Sequence, residues 1–163
     1  MANITRIGYG QVEPNHLSAQ RTGQIYAQLP AVESIEVLEN GQFVKYDYAS
    51  NKVNFTGEGE FMLVLNEVKL YDENRESYKD FAMKKENYVG GVMVPRVFKT
   101  NVGDIYTTNM IDSAIDAKEG TKLAPNATGV LTTAGENAEM IWKVVKVYTL
   151  ADGQAAVKLQ RIK

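Results

Sequence analysis

The sequence predicts a mainly β protein: a small β-barrel or sandwich with an extended N-terminal arm and at most two short helices. Three observations lead there. From Ser34 onward, apolar residues alternate with polar ones in short runs. Gly, Asn and Asp turn residues separate those runs at near-regular spacing. Before Ser34, clustered apolar side chains are sparse, so residues 1–33 read as the arm and 34–163 as one β domain.

The arm is punctuated by Gly8, Gly10, Pro14, Gly23 and Pro30. Ile25, Tyr26 and Leu29 are its anchors, on one short strand from Gly23 to Leu29 that can insert beside a neighbour. Removing residues 1–20 is expected to leave a folded core. Next, Ile35 and Val37 face Phe43, Val44 and Tyr46 across Glu39-Asn40-Gly41-Gln42. Asn-Gly predicts a hairpin there, with both central residues at φ > 0. Tyr46, Tyr48, Val53 and Phe55 continue toward a turn at Gly57-Glu58-Gly59. Phe61, Leu63 and Leu65 then alternate with Met62 and Val64, so both faces of that strand are apolar and it belongs in a central position, covered on two sides.

Residues 72–88 are highly charged, and Tyr71, Tyr78 and Phe81 fit a short amphipathic helix as well as an irregular loop. Gly90-Gly91 breaks this segment, and Pro95 confines the Val92 to Phe98 run to a sheet edge or a bulge. Strands follow at 104–110, 120–123, 129–133, 138–150 and 155–162, the last two joined by a hairpin turn at Asp152-Gly153. A helical turn at 112–117 is the only competing element. In the longest strand Ile141, Lys143, Val145 and Val147 lie on one side, and Trp142, Val144, Lys146 and Tyr148 on the other.

Composition removes several kinds of function. The chain has 163 residues and no Cys, which excludes disulfides, thiolate metal sites and thiol catalysis. Eighteen basic and twenty acidic residues give a net charge of -2 with no basic cluster, so nucleic acid is not an expected partner. The longest apolar run, Phe61 to Leu65, is far short of the roughly 20 residues that span a bilayer, so no membrane is expected either. His16, the single histidine, sits in the arm beside Pro14 and reads as a surface imidazole. Asp72, Glu73, Glu76 and Asp80 interleave with Arg75 and Lys79, the pattern of a solvated charged face. Asp112, Asp116 and Glu119 miss the spacing of a calcium loop, and Gly8-x-Gly10 lacks the third glycine of a nucleotide loop. The triplets at Asn3, Asn54 and Asn126 carry no more weight than chance sequons. No catalytic residues, metal or cofactor are therefore expected.

The segments GDIYTTNMID, EGTKLAPNATGVLTT and WKVVKVYTLADGQAAVKLQRI, in that order, resemble the small β-barrel domains of tailed-bacteriophage capsid decoration (cement) proteins. FMLVLNEVKLYDENRESYKDF and VMVPRVFKTNVGD likewise resemble phage head proteins, so the likeness covers about residues 60–163. It implies a non-enzymatic virion protein, assembled in the host cytoplasm, that binds the major capsid protein on the outer capsid surface and stabilises it. Self-association, as a trimer or a cluster at local symmetry axes, is part of what it implies. The alternatives are another phage head or tail component, or a head-fibre or carbohydrate-binding module in which tyrosines and Trp142 would line an exposed face.

Overall fold

The computed structural model describes residues 2–16, 28–66 and 81–163. Within them the protein is mainly β. Its strands are β1 (Ala2–Asn3), β2 (Val12–His16), β3 (Val37–Glu39), β4 (Phe43–Asp47), β5 (Lys52–Asn54), β6 (Met62–Val64), β7 (Ala82–Lys84), β8 (Val97–Phe98), β9 (Ile105–Thr108), β10 (Asp116–Ala117), β11 (Lys122–Pro125), β12 (Leu131–Thr133), β13 (Trp142–Thr149) and β14 (Ala155–Arg161). Two three-residue 3-10 turns, Lys85–Asn87 and Val89–Gly91, are the helical content among the described residues. A six-stranded sheet runs β12-β11-β13-β14-β9-β2, a four-stranded sheet runs β5-β4-β6-β8, and β3-β7 and β1-β10 form separate pairs. The result is a sandwich rather than a closed barrel.

Alternation along β6 decides how the layers stack. Leu63 pairs with Phe43 and Phe98, and these three side chains enter the first core with Leu123, Trp142 and Leu159 of the six-stranded sheet. Met62 and Val64 face the other way, joining Val44 and Val97 in a second core closed by Leu38 and Met83 of the β3-β7 pair. The four-stranded sheet is thus a middle layer with apolar residues on both faces, as the double alternation of residues 61–65 predicts. Each large side chain sealed there contributes about 1.5–3 kcal/mol relative to exposure. β8 lies at this sheet's edge and starts beyond Pro95, whose missing N–H a central strand could not tolerate.

Residues 2–16 belong to the body, where the sequence predicts an arm without core elements. β1 pairs with β10, and β2 pairs with β9 at the edge of the six-stranded sheet. Ile4 is 0% exposed and Val12 9%. Two well-separated apolar residues leave no periodic signal, and much of what holds the segment is polar. Gln11 donates its backbone N–H to Asn109 Oδ1 at 2.7 Å, and its carbonyl accepts from Thr108 Oγ1 at 2.7 Å. Removing residues 1–20 would therefore take Ile4 and Val12 out of the first core. Of the anchors, Leu29 is half-buried against the second core; Ile25, Tyr26 and most of the Gly23–Leu29 strand lie outside the described residues, as does most of the charged stretch.

The turn at Asn40-Gly41 also departs from expectation. Only Gly41 has positive φ, at +93°, and Gln42 N–H returns to Glu39 O at 3.3 Å. Positive φ at the third position alone is the type II pattern, which splays strands instead of pairing them. Accordingly β3 pairs with β7 and β4 with β5 and β6, so the turn carries the chain from one layer to the next. The helical turn predicted at 112–117 is instead an Asx turn, with Ala114 N–H on Asp112 Oδ1 at 3.0 Å, leading into β10.

The final hairpin follows the prediction. Leu150 N–H bonds Gln154 O at 2.8 Å, enclosing a three-residue loop in which Gly153 has φ +84°. Asp152 Oδ2 accepts from Gln11 Nε2 at 2.7 Å and from Gln154 Nε2 at 2.6 Å, fastening the loop to the N-terminal segment. Partial burial pushes the Asp152 carboxyl up, and these hydrogen bonds outweigh it, so its pKa lies below the ordinary aspartate value. Gly153→Val forces a β-branched residue into the left-handed region and is expected to destabilise the fold by roughly 1–2 kcal/mol. An unchanged urea midpoint for that variant would show that the turn relaxes freely.

Candidate interaction surface

Beyond β7 the chain makes an exposed projection. Tyr88 N–H bonds Lys85 O at 3.2 Å and Gly91 N–H bonds Tyr88 O at 2.9 Å, closing two consecutive tight turns. Gly90 and Gly91 both have φ +68°, a left-handed pair that only glycines adopt cheaply. The reversal leaves Val89 at the apex, 100% exposed. Beyond it, extended backbone sends Met93 into the second core at 1% exposure, with Val92 and Val94 outward at 52% and 40%. Ala31 N–H holds Met93 O at 2.8 Å. Lys85 Nζ fixes the other end, donating to Glu33 O at 2.7 Å and pairing with Glu36 at 3.2 Å. Three exposed valines are therefore displayed on a loop tied to the fold by backbone hydrogen bonds at Tyr88, Gly91 and Met93.

Hollows flank this projection on two sides. One, of about 270 Å³, is lined by Pro30, Ala31, Gly90, Gly91 and Val92, with Lys52 and Lys85 among the residues around it. The other, of about 420 Å³, shares Tyr88 and Val94 with the loop and adds Phe81, Met83, Asn66 and Arg96. A third cavity of about 460 Å³ lies elsewhere, between the N-terminal segment and the loops at 111–113 and 126–130. Several of its polar groups are already engaged within the protein. Asn126 Oδ1 accepts from the backbone N–H groups of Thr128 at 2.9 Å and Val130 at 3.0 Å, and from Thr128 Oγ1 at 2.8 Å. Arg6 pairs with Glu39.

Among the described residues the sequence candidates do not converge into a chemical site. β2 ends at His16, opposite Ile105. Asp116 lies on β10 opposite Asn3, while Asp112 is engaged in its turn. Among the described residues no three His, Cys, Asp or Glu side chains are placed to hold a metal ion. Trp142 is 0% exposed, which removes it from any exposed aromatic face, and Tyr46 and Tyr106 are buried with it. Among the described residues Tyr48, at 58% exposure, is the aromatic in the set of exposed large hydrophobic side chains. Burial raises the Tyr106 hydroxyl pKa well above its ordinary value. The valine loop itself was in the sequence as Val-Gly-Gly-Val-Met-Val, where Val92 and Val94 read as strand residues. Only the glycine pair hinted that they sit on a projection.

No helix among the described residues is long and apolar enough to cross a membrane. No family of known proteins, curated protein or solved structure matches this chain.

Proposed function

We propose that the protein is a bacteriophage virion structural protein that binds the outer surface of an assembled capsid and stabilises it, with the major capsid protein as its partner. The observation that carries this reading is the loop presenting Val89, Val92 and Val94 to solvent between two hollows. Exposed apolar side chains gathered on one short loop support a docking role for it. The likeness of residues 60–163 to decoration proteins supplies the kind of partner.

Energetics favour a repeated contact over a single one. Three valines contribute at most about 1.5 kcal/mol each on burial, against an association cost of roughly 4–15 kcal/mol. Clustering of copies at local symmetry axes would lower that cost by raising effective concentration. A capsid lattice provides such repetition, and no chemical step is needed for stabilisation.

The double variant Val89→Asp/Val92→Asp separates docking from folding, since both side chains lie outside the cores. It is expected to melt with the parent protein and to lose co-sedimentation with capsids of the producing system by more than about tenfold, a change of about 1.4 kcal/mol or more. Undiminished occupancy of the particles by a folded double variant would overturn the reading.

A further inference from the structure

Asn40-Gly41 is the chain's single Asn-Gly pair, the dipeptide in which the following nitrogen reaches the side-chain amide with least steric hindrance. We propose that Asn40 is a latent deamidation site, kept closed by the junction between the two cores and converted once that junction opens. The capsid reading is not needed for this inference.

In the reaction, the Gly41 nitrogen gives up its proton and bonds to Asn40 Cγ, and ammonia leaves. One water then opens the resulting succinimide to aspartate or isoaspartate. No oxidant or reductant takes part. In the folded protein each participant is already engaged. Gly41 N–H is donated to Val64 O at 2.9 Å. Asn40 Oδ1 accepts Asn66 N–H at 2.7 Å, and Asn40 Nδ2 donates to Asn66 O at 3.3 Å. Asn40 is 2% exposed, so the water required by the second step is excluded as well.

Adjoining turn residues make this a junction between layers. Glu39 Oε2 accepts Gly10 N–H at 2.7 Å, and Gln42 Nε2 donates to Thr128 O at 3.2 Å. The turn thereby ties the N-terminal segment, the end of β6 and the 126–130 loop together. Attack on Asn40 requires releasing both the Gly41–Val64 bond and the Asn40–Asn66 pair, a local opening of the kind that limits amide exchange in native proteins. Conversion also prevents reclosure. A carboxylate replaces the Nδ2 donor and sets a buried negative charge against the Asn66 carbonyl, beside Glu39. The turn is therefore a one-way device that records opening of the junction between the cores.

The test compares wild-type protein held at mildly alkaline pH in its native state and in denaturing urea, with conversion at residue 40 read by peptide mass spectrometry that separates aspartate from isoaspartate. Native conversion is expected to be at least about a hundredfold slower, the suppression set by the opening equilibrium. Equal rates in the two states, or no conversion in the unfolded chain, would overturn the proposal. The irreversible element is read separately with Asn40→Asp, expected to melt lower or fail to fold; melting identical to wild type would overturn that element.

Discussion

Gly129→Val is expected to be among the most damaging single substitutions in the chain, lowering stability by roughly 3–6 kcal/mol, a large share of the 5–15 kcal/mol of a typical domain. Two independent effects coincide at this glycine. Its φ is +75°, where a β-branched side chain is strained. A Cβ built on it would also stand 2.3 Å from Phe43 O and 3.0 Å from two Phe55 ring carbons. The Phe43 carbonyl cannot yield cheaply, because Phe43 N–H is bonded to Gly129 O at 2.8 Å and the Phe43 side chain is sealed in the first core. Gly120 separates the two effects. Its φ is +88°, yet no atom lies within 4 Å of the place a Cβ would take, so Gly120→Ala carries backbone strain alone, about 1–2 kcal/mol. Urea unfolding of Gly129→Ala and Gly120→Ala should place the first well below the second. Equal midpoints would mean that the close approach to Phe43 relaxes.

Sequence patterns revealed those parts of the fold where one physical rule acts locally. The double alternation at residues 61–65 needs cover on both faces, and the structure provides it. Strand β13 shows how such a rule stops. Alternation places Lys146 on the Trp142 face, but the register with β14 shifts between Val144 and Lys146, and the extra residue turns Lys146 out to solvent. A bulge is an agreement between two strands, so one strand's pattern does not show it. The Asn40-Gly41 turn illustrates the same limit. Its residues were legible as a turn, whereas the identity of each strand's partner was set by contacts to Asn66, Val64 and Thr128, distant in sequence. Residues 2–16 were missed because a buried polar clasp has no period. Of the candidate surface, only the glycine pair was visible; exposure of Val92 and Val94 depends on Met93 having a core to enter.

Trp142→Ala is expected to cost roughly 3–5 kcal/mol, the range for deleting a buried large aromatic. The indole is 0% exposed and centrally placed, on a strand paired with β11 through Leu123 and with β14 through Arg161. Its ring meets Tyr106 edge-on at 4.8 Å and lies 5.9 Å from Phe43, bridging the six-stranded sheet and the middle layer. Truncation would empty the space between those layers, and the β13-β14 ladder resists the backbone shift needed to fill it. Polar accounting at the same place points the other way. Trp142 Nε1 and Tyr106 Oη are both buried without a hydrogen-bond partner, and such a group costs about 1–3 kcal/mol. Tyr106→Phe keeps the ring and deletes the orphaned hydroxyl, so it should leave stability unchanged or raise it by about 1 kcal/mol. Thermal and urea unfolding of the two variants should diverge, Trp142→Ala falling and Tyr106→Phe holding or rising. A Tyr106→Phe loss as large as that of Trp142→Ala would show that the hydroxyl is bonded to an internal water, and that the first core is partly hydrated instead of dry.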